Sequence, residues 1–316
     1  MIYRACVLVP YLENHISTAD LNEIGAMIIA REPRLLWKTA RMDSAPARAS
    51  FSMPALPTMV LQFHSLNPIP WPQFKGPRLT SERVHKVMQL RTMEAAGIPV
   101  PRWTRLQRNT VIDREAFGEF LIVKPTEKDA SRGRGVTLIR TADFEAYRDA
   151  HAPAYEGYRR SPPLVQEFIY TGETPRHYRV LTFLGRIILS YYNESLRATP
   201  FASPVNSLTL TDRVISNTGD RKRKLVAEPD VLDLAARVAA VFPRNVLVGM
   251  DIVRHARTAR LCVLEANTGN VWLFSNNTAQ GSQAYFGREA MKKQFGAPAI
   301  VAEAIIERAG RELALA

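Results

Sequence analysis

The 316-residue chain reads as an α/β (α+β) protein. Three observations predict this class. Apolar runs of strand length alternate with amphipathic helical stretches, two pairs of such runs flank short turns, and prolines break the chain before residue 78. The length allows two or three modest domains with their own cores. Hydrophobic content of 46% and charged content of 23% are ordinary for a globular chain. No apolar run approaches the ~20 residues of a membrane span.

In order, residues 3–10 are expected to form a strand. A helix follows over Thr18 to Arg31, with Leu21, Ile24, Ile28 and Ile29 on its apolar side and Thr18 or Asp20 as its cap. Thr58 to Phe63 is a second strand, and Pro54, Pro57, Pro68, Pro70, Pro72 and Pro77 mark loops and a linker. These pieces predict a small N-terminal α/β unit over 1–78. It has no Gly-rich dinucleotide fingerprint. A helix is expected from Ser81, its cap, to Ala96, ending at Gly97.

Phe120 to Lys124 is a strand, followed by a loop containing Arg132-Gly133-Arg134-Gly135, a strand Val136 to Arg140 and a helix from Thr141. Leu164 to Ile169 is an apolar strand with an embedded acid, Glu167. His177 to Leu184 and Arg186 to Asn193 pair around Leu184-Gly185. Residues 194–228 read as polar and irregular. Asp230 to Phe242 is an amphipathic helix, Val246 to Asn267 a hairpin, and Pro298 to Leu313 a final helix.

The net charge of +12 admits nucleic acid, an anionic surface or a negatively charged substrate. The densest cluster, Arg221-Lys222-Arg223-Lys224, is short and carries no interleaved aromatics. It reads first as a solvated loop, second as a phosphate or carboxylate attractor, and only third as a nucleic-acid site. Cys6 and Cys262 are the two cysteines, far apart and each in an expected strand, so buried free thiols are expected. The N-terminus, with a short apolar segment followed by Glu13 and no cleavage-like site, reads as the first strand of a cytoplasmic protein.

The hairpin carries the chemistry. If Arg254 and Arg260 close its ladder around His255 to Ala259, Asp251 falls opposite Val263, one residue pair from Glu265. Alternation then puts Asp251, Glu265 and Asn267 on one side of the sheet. Diagonal cross-strand neighbours lie roughly 7–8 Å apart. Two carboxylates and an amide oxygen suit Mg²⁺, which takes oxygen ligands and keeps several waters. Each acid alone reads equally well as a salt-bridge partner. Asp251 lies within an otherwise apolar run and requires a cation or donors. Lys124 ends an apolar strand, an unusual place for a solvated lysine. The Gly/Arg loop is suited to fold over phosphates, because backbone N–H groups and arginine both attract anions. No Ser/His or Cys/His nucleophile arrangement stands out.

From about Thr80 to Asn270 these motifs, in this order, resemble the ATP-grasp superfamily, particularly its amino-acid-ligating branch of glutamate ligases and glutathione-synthase-like enzymes. Lys86 matches the first nucleotide lysine and Lys124, in Ile-Val-Lys-Pro, the second. Arg132-Gly133-Arg134-Gly135 resembles the flap, and Gln166-Glu167-Phe168-Ile169 the hinge that holds adenine. Asp251 and Glu265-Ala266-Asn267 match the metal-binding set. Arg179 falls at a familiar arginine, Glu173 near the ribose, and Asn217, with Arg213 nearby, beside the transferred phosphate. His177 stands where the family has an aspartate, and Thr268-Gly269 replaces Ser-Pro.

The resemblance implies an ATP-grasp fold of two α+β subdomains gripping ATP, 79–166 with the flap and 167–316 with the metal site. It implies ATP and Mg²⁺ (or Mn²⁺) as cofactors. The activity would be carboxylate–amine ligation through an acyl phosphate on a small molecule or peptide. A homodimer is common among such proteins. A kinase of the same fold and a non-catalytic nucleotide- or nucleic-acid-binding module remain as alternatives.

Overall fold

The computed structural model describes residues 3–43, 54–63, 76–126, 135–155, 161–198, 220–269, 272–274 and 286–314. The strands among them form three sheets.

The first sheet has the order β2-β1-β3-β4, with β1 at Ala5–Tyr11, β2 at Leu35–Arg41, β3 at Thr58–Leu61 and β4 at Arg78–Leu79. All its pairings are parallel. Every residue of β1 is buried, as suits an interior parallel strand covered on both faces. The helix α1 occupies Thr18–Arg31, the range expected. Its cap is Ser17 rather than Thr18 or Asp20: Ser17 Oγ accepts the Asp20 backbone N–H at 3.2 Å, satisfying a first-turn donor. Leu21, Ile24 and Ile28 are buried, whereas Ile29 is on the exposed side. At Gly25 a Cβ would stand 2.3 Å from Trp37 Cδ1, so glycine permits the close approach of α1 to β2.

The second sheet, β5-β8-β6-β7, is antiparallel and comprises Trp103–Arg105, Leu164–Glu167, Phe120–Lys124 and Thr137–Arg140 in that spatial order. One face packs on Phe144, at the start of a helix over Phe144–His151. The strand β8 ends at Glu167, two residues earlier than expected, so Phe168 and Ile169 belong to the connection that leaves this sheet.

The third sheet has the order β11-β10-β9-β12-β13: Arg221–Leu225, Arg186–Ser195, Arg176–Phe183, Leu247–Arg254 and Leu261–Asn267. The basic run 221–224 is therefore a strand at the sheet's edge and not a loop. Cationic side chains on an edge strand also oppose edge-to-edge pairing. A helix over Lys86–Ala95 and another over Pro229–Val241 cover one face. The former starts four residues later than expected, with His85 and not Ser81 as its cap. Ser81 is instead buried, and its Oγ accepts the Leu247 N–H at 2.9 Å.

The first and third sheets share one core. Ile24 and Phe63 pack with Phe183, Trp272 and Ile305, the last from a helix over Ala297–Leu313. Phe63 meets Trp272 edge-on at 5.4 Å and Phe183 at 5.1 Å. Cys6 and Cys262 are free and buried, and burial pushes both thiols up to about 11. Among the described residues no helix is long and apolar enough to cross a membrane.

Candidate active site

The site grows from the register of three neighbouring strands. The β12–β13 ladder closes at Arg254↔Leu261, one residue from the expected pairing, and a bulge follows between Asp251 and Ile252. Asp251 therefore faces Glu265 directly, not Val263, and Gly249 faces Asn267. Leu264 is the extra residue. A bulge restores the face that a one-residue shift would have lost, so Glu265 and Asn267 return to the Asp251 side. On the other flank Asp251 faces Arg179. The side chains of Arg179, Asp251, Glu265 and Asn267 meet there.

Arg179 Nη1 donates to Asp251 Oδ1 at 2.7 Å. The Asn267 amide is assigned by its partners: its oxygen accepts from Arg179 Nη1 at 2.9 Å and its nitrogen donates to Glu265 Oε1 at 3.0 Å. His177 Nε2 lies 3.6 Å from Asp251 Oδ1. Burial pushes the Asp251 carboxyl up, and Arg179, His177 and Lys124 outweigh it, leaving it below the usual carboxylate range. Burial pulls Arg179 down, but Asp251 chiefly holds it above its ordinary value. Burial lowers His177, and Arg179, Arg221 and Arg223 add to this against the opposing pull of Asp251.

Lys124, the last residue of β6, comes from the second sheet and still feels this cluster. Burial first, and then the like charge of Lys86, lower its ammonium to about 8 against the pull of Glu265 and Asp251. Lys86 opens its helix, where a positive charge meets the positive end of the macrodipole, and no acid lies in that first turn. Its place there is unfavourable for the helix alone and favourable for an anion.

The other expected site residues lie along the connection between the sheets. Gln166 is 2% exposed and its Nε2 finds no acceptor among the described residues. Glu167 accepts the Arg102 N–H at 3.2 Å and pairs with Arg260. Phe168 donates its N–H to the Phe120 carbonyl at 3.2 Å. Ile169 joins Val253, Cys262 and Leu264 in a small apolar patch of the third sheet. Glu173 is exposed in the turn before β9. Gly135, at the end of the expected flap, has φ 72°, and a Cβ there would crowd Pro125 at 3.2 Å. Arg132, Arg134, Arg213 and Asn217 lie outside the described residues.

Two participants were missed in the sequence. Asn193, 4% exposed on β10, bonds His177 Nε2 at 3.2 Å and accepts from Arg223 Nε at 2.9 Å. It extends the polar row from Asp251 toward the basic edge strand, and a buried asparagine in an apolar strand was its signal. Leu264 was the other; nothing in the periodicity announces a bulge.

The donor set fits a hard divalent cation: two carboxylates facing each other and an amide oxygen on the same face. Among the described residues no three His, Cys, Asp or Glu side chains are placed to hold a metal ion by themselves, so such an ion would complete its shell with the amide, waters or substrate oxygens.

No family model and no curated protein matches the chain. Solved structures do. The macrocyclase MdnC from Microcystis aeruginosa MRC, bound with precursor peptide MdnA, matches with TM-score 0.56 and 11% identity over 96% of this chain and 99% of that one. The ATP-grasp ligase PsnB, complexed with precursor peptide PsnA2 and AMPPNP, matches with TM-score 0.54 and 16% identity over 98% of both chains. D-cycloserine synthetase DcsG matches with TM-score 0.52 and 15% identity over 96% of this chain and 99% of that one. The chain shares the overall fold of these proteins.

Proposed function

We propose that this chain, which has the fold of ATP-grasp ligases, is an ATP- and Mg²⁺-dependent carboxylate–amine ligase acting on an amino acid or peptide. The observation that carries the reading is the convergence of Asp251, Glu265 and Asn267 with Arg179 and Lys124, contributed by two different sheets. Residues 79–166 form the small gripping unit and 167–316 the metal-bearing one. Lys86 and Lys124 hold nucleotide phosphates, joined by Arg132 and Arg134. Gln166 to Ile169 receive adenine, with Glu173 toward the ribose. Asp251, Glu265 and Asn267 hold Mg²⁺, which neutralises phosphate charge when bound. Arg179, with Arg213 and Asn217, orients the acceptor carboxylate and the transferred phosphoryl group.

In this reading the acceptor carboxylate takes the γ-phosphoryl group of ATP, releasing ADP, and an amine then displaces phosphate from the acyl phosphate. No protein nucleophile is needed. PsnB and MdnC were solved with precursor peptides, which supports a peptide as the substrate class here. A cytoplasmic setting, where Mg-ATP is supplied, and a homodimer complete the proposal.

The test is ADP release with Mg-ATP and pooled amino acids and short peptides, run beside Glu265→Gln. Amine-dependent ADP release that the substitution abolishes is the expected result. The absence of both turnover and metal-dependent ATP binding would sink the enzyme reading. Amine-independent ADP formation with a stable phosphorylated product would convert it to a kinase.

A further inference from the structure

The turn that delivers Lys86 is built against the far end of β13, where Thr268-Gly269 stands in place of Ser-Pro. Thr268 follows Asn267 directly and is fully buried. Its Oγ1 accepts the Val84 N–H at 2.8 Å. The Val84 carbonyl in turn accepts from Gln89 Nε2 at 2.7 Å, and Gln89 is itself buried in the helix that Lys86 opens. Both backbone groups of Val84 are therefore held, one from the end of β13 and one from the lysine-bearing helix. Threonine suits the first task, because branching at Cβ stiffens χ1 and fixes where Oγ1 points.

A second tie runs beside it. Asn245 Nδ2 donates to the Thr268 and Glu82 carbonyls, both at 2.7 Å, and Ser81 Oγ accepts the Leu247 N–H. At Gly269 a Cβ would stand 3.3 Å from Arg83 Cβ, so glycine leaves room for the two segments to touch. Behind them Val87 shares a core with Val263 and Ala266 of β13. Lys86 lies between Val84 and Val87, so its backbone is fixed from both sides. Its charge is felt by Lys124 together with those of Glu265 and Asp251.

We propose that Thr268 is a positioning residue for Lys86. Through Val84 it sets where the lysine stands relative to Asp251, Glu265 and Asn267, while Gln89 and Asn245 keep the turn and the strand end together. Thr268 touches no substrate in this role and acts through the lysine. The departure from Ser-Pro then has a physical reason: Thr268-Gly269 gives the turn a stiff acceptor and a close approach free of side chain. This role rests on the ligase reading and its nucleotide site.

The experiment titrates the full-length chain with Mg-ATP by calorimetry, with adenosine as the phosphate-free control. Thr268→Val keeps the shape and removes the acceptor; it is expected to bind Mg-ATP roughly tenfold more weakly and adenosine within about twofold of native. Thr268→Ser keeps the hydroxyl and is expected to restore Mg-ATP affinity to within about threefold. Gln89→Met frees the same turn from its other side, with an expected loss of roughly threefold or more, and carries the test if Thr268→Val does not fold. In a Lys86→Met background Thr268→Val is expected to cost less than about a further twofold, because the lysine it positions is gone. Native Mg-ATP affinity in both Thr268→Val and Gln89→Met, an equal loss for adenosine, or an undiminished loss beside Lys86→Met overturns the role while leaving the ligase reading intact. A native chain that binds no Mg-ATP overturns the ligase reading itself, and this role with it.

Discussion

Arg179 and Asp251 form an ion pair at 2.7 Å, and the same guanidinium nitrogen reaches the Asn267 oxygen at 2.9 Å. One nitrogen thus stands among the oxygens that the proposed Mg²⁺ would use, and the cation and Arg179 compete for them. The pair is part-buried, so removing one partner costs about 3 kcal/mol, the low end for a pair whose other charge is left uncompensated. Arg179→Gln is therefore expected to melt earlier than the native chain in EDTA, by the equivalent of about 3 kcal/mol, and to recover much of that loss with Mg²⁺. The native chain, with Asp251 already compensated, should respond little. An equal response of both proteins to Mg²⁺ would show that the arginine does not guard the site.

Asp20 shows the same physics in a structural role. It is 1% exposed, receives Trp272 Nε1–H at 3.0 Å, and pairs with Lys292 at 2.7 Å and with Arg288. It ties α1 to the C-terminal part of the chain. Asp20→Ala leaves the buried Lys292 with Glu23 alone and is expected to cost about 3–5 kcal/mol. Chemical denaturation measures this. A loss under about 1 kcal/mol would mean that Glu23 suffices.

Much of this was legible in the sequence where one period dominated. The helix at 18–31, the strand at 120–124 and both hairpins in the C-terminal half followed from apolar spacing alone. The strand β2 was not read, because Leu35-Leu36-Trp37-Lys38-Thr39-Ala40-Arg41 mixes apolar and polar residues without clean alternation. Nor was the edge strand at 221–225, whose four consecutive cations looked like solvent-facing loop. The face shared by Asp251, Glu265 and Asn267 was anticipated correctly from an incorrect register: the actual ladder is shifted by one residue at its closed end, and the bulge at Leu264 adds a second, which restores the face though not the pairing. A helix start was misplaced because Ser81 offered a plausible cap, while its hydroxyl was engaged by a distant strand. Long-range contacts of that kind leave no local trace.

The bulge also yields a prediction. Leu264 joins Ile169, Val253 and Cys262 in an apolar patch reached by the connection that carries Gln166 to Ile169. If that patch receives the base, a charge there should penalise nucleotide but not phosphates. Leu264→Asp is expected to weaken ATP binding by at least tenfold, about 1.4 kcal/mol, and to leave inorganic tripolyphosphate unaffected. Equal losses for both ligands would point to a damaged fold and remove the patch from the nucleotide site.

Lys124 sets stability against binding. Its folded-state ammonium is lowered to about 8 from 10.5, chiefly by burial. Between those values the unfolded chain holds a proton that the folded chain has released, so this residue makes stability rise with pH across that window. Below pH 8 the charge is retained in both states and its desolvation is a standing cost. Lys124→Met removes that cost and is expected to raise Tm at pH 7 while flattening the alkaline rise. The same substitution should weaken ATP binding at least tenfold, since the charge that destabilises the empty protein attracts phosphate. For the native chain, affinity is expected to fall as pH rises through about 8, where the empty site loses its proton. Calorimetric titration of ATP from pH 6.5 to 9.5 against both proteins checks this. A pH-independent native affinity, or unaltered binding by Lys124→Met, would take Lys124 out of the phosphate site.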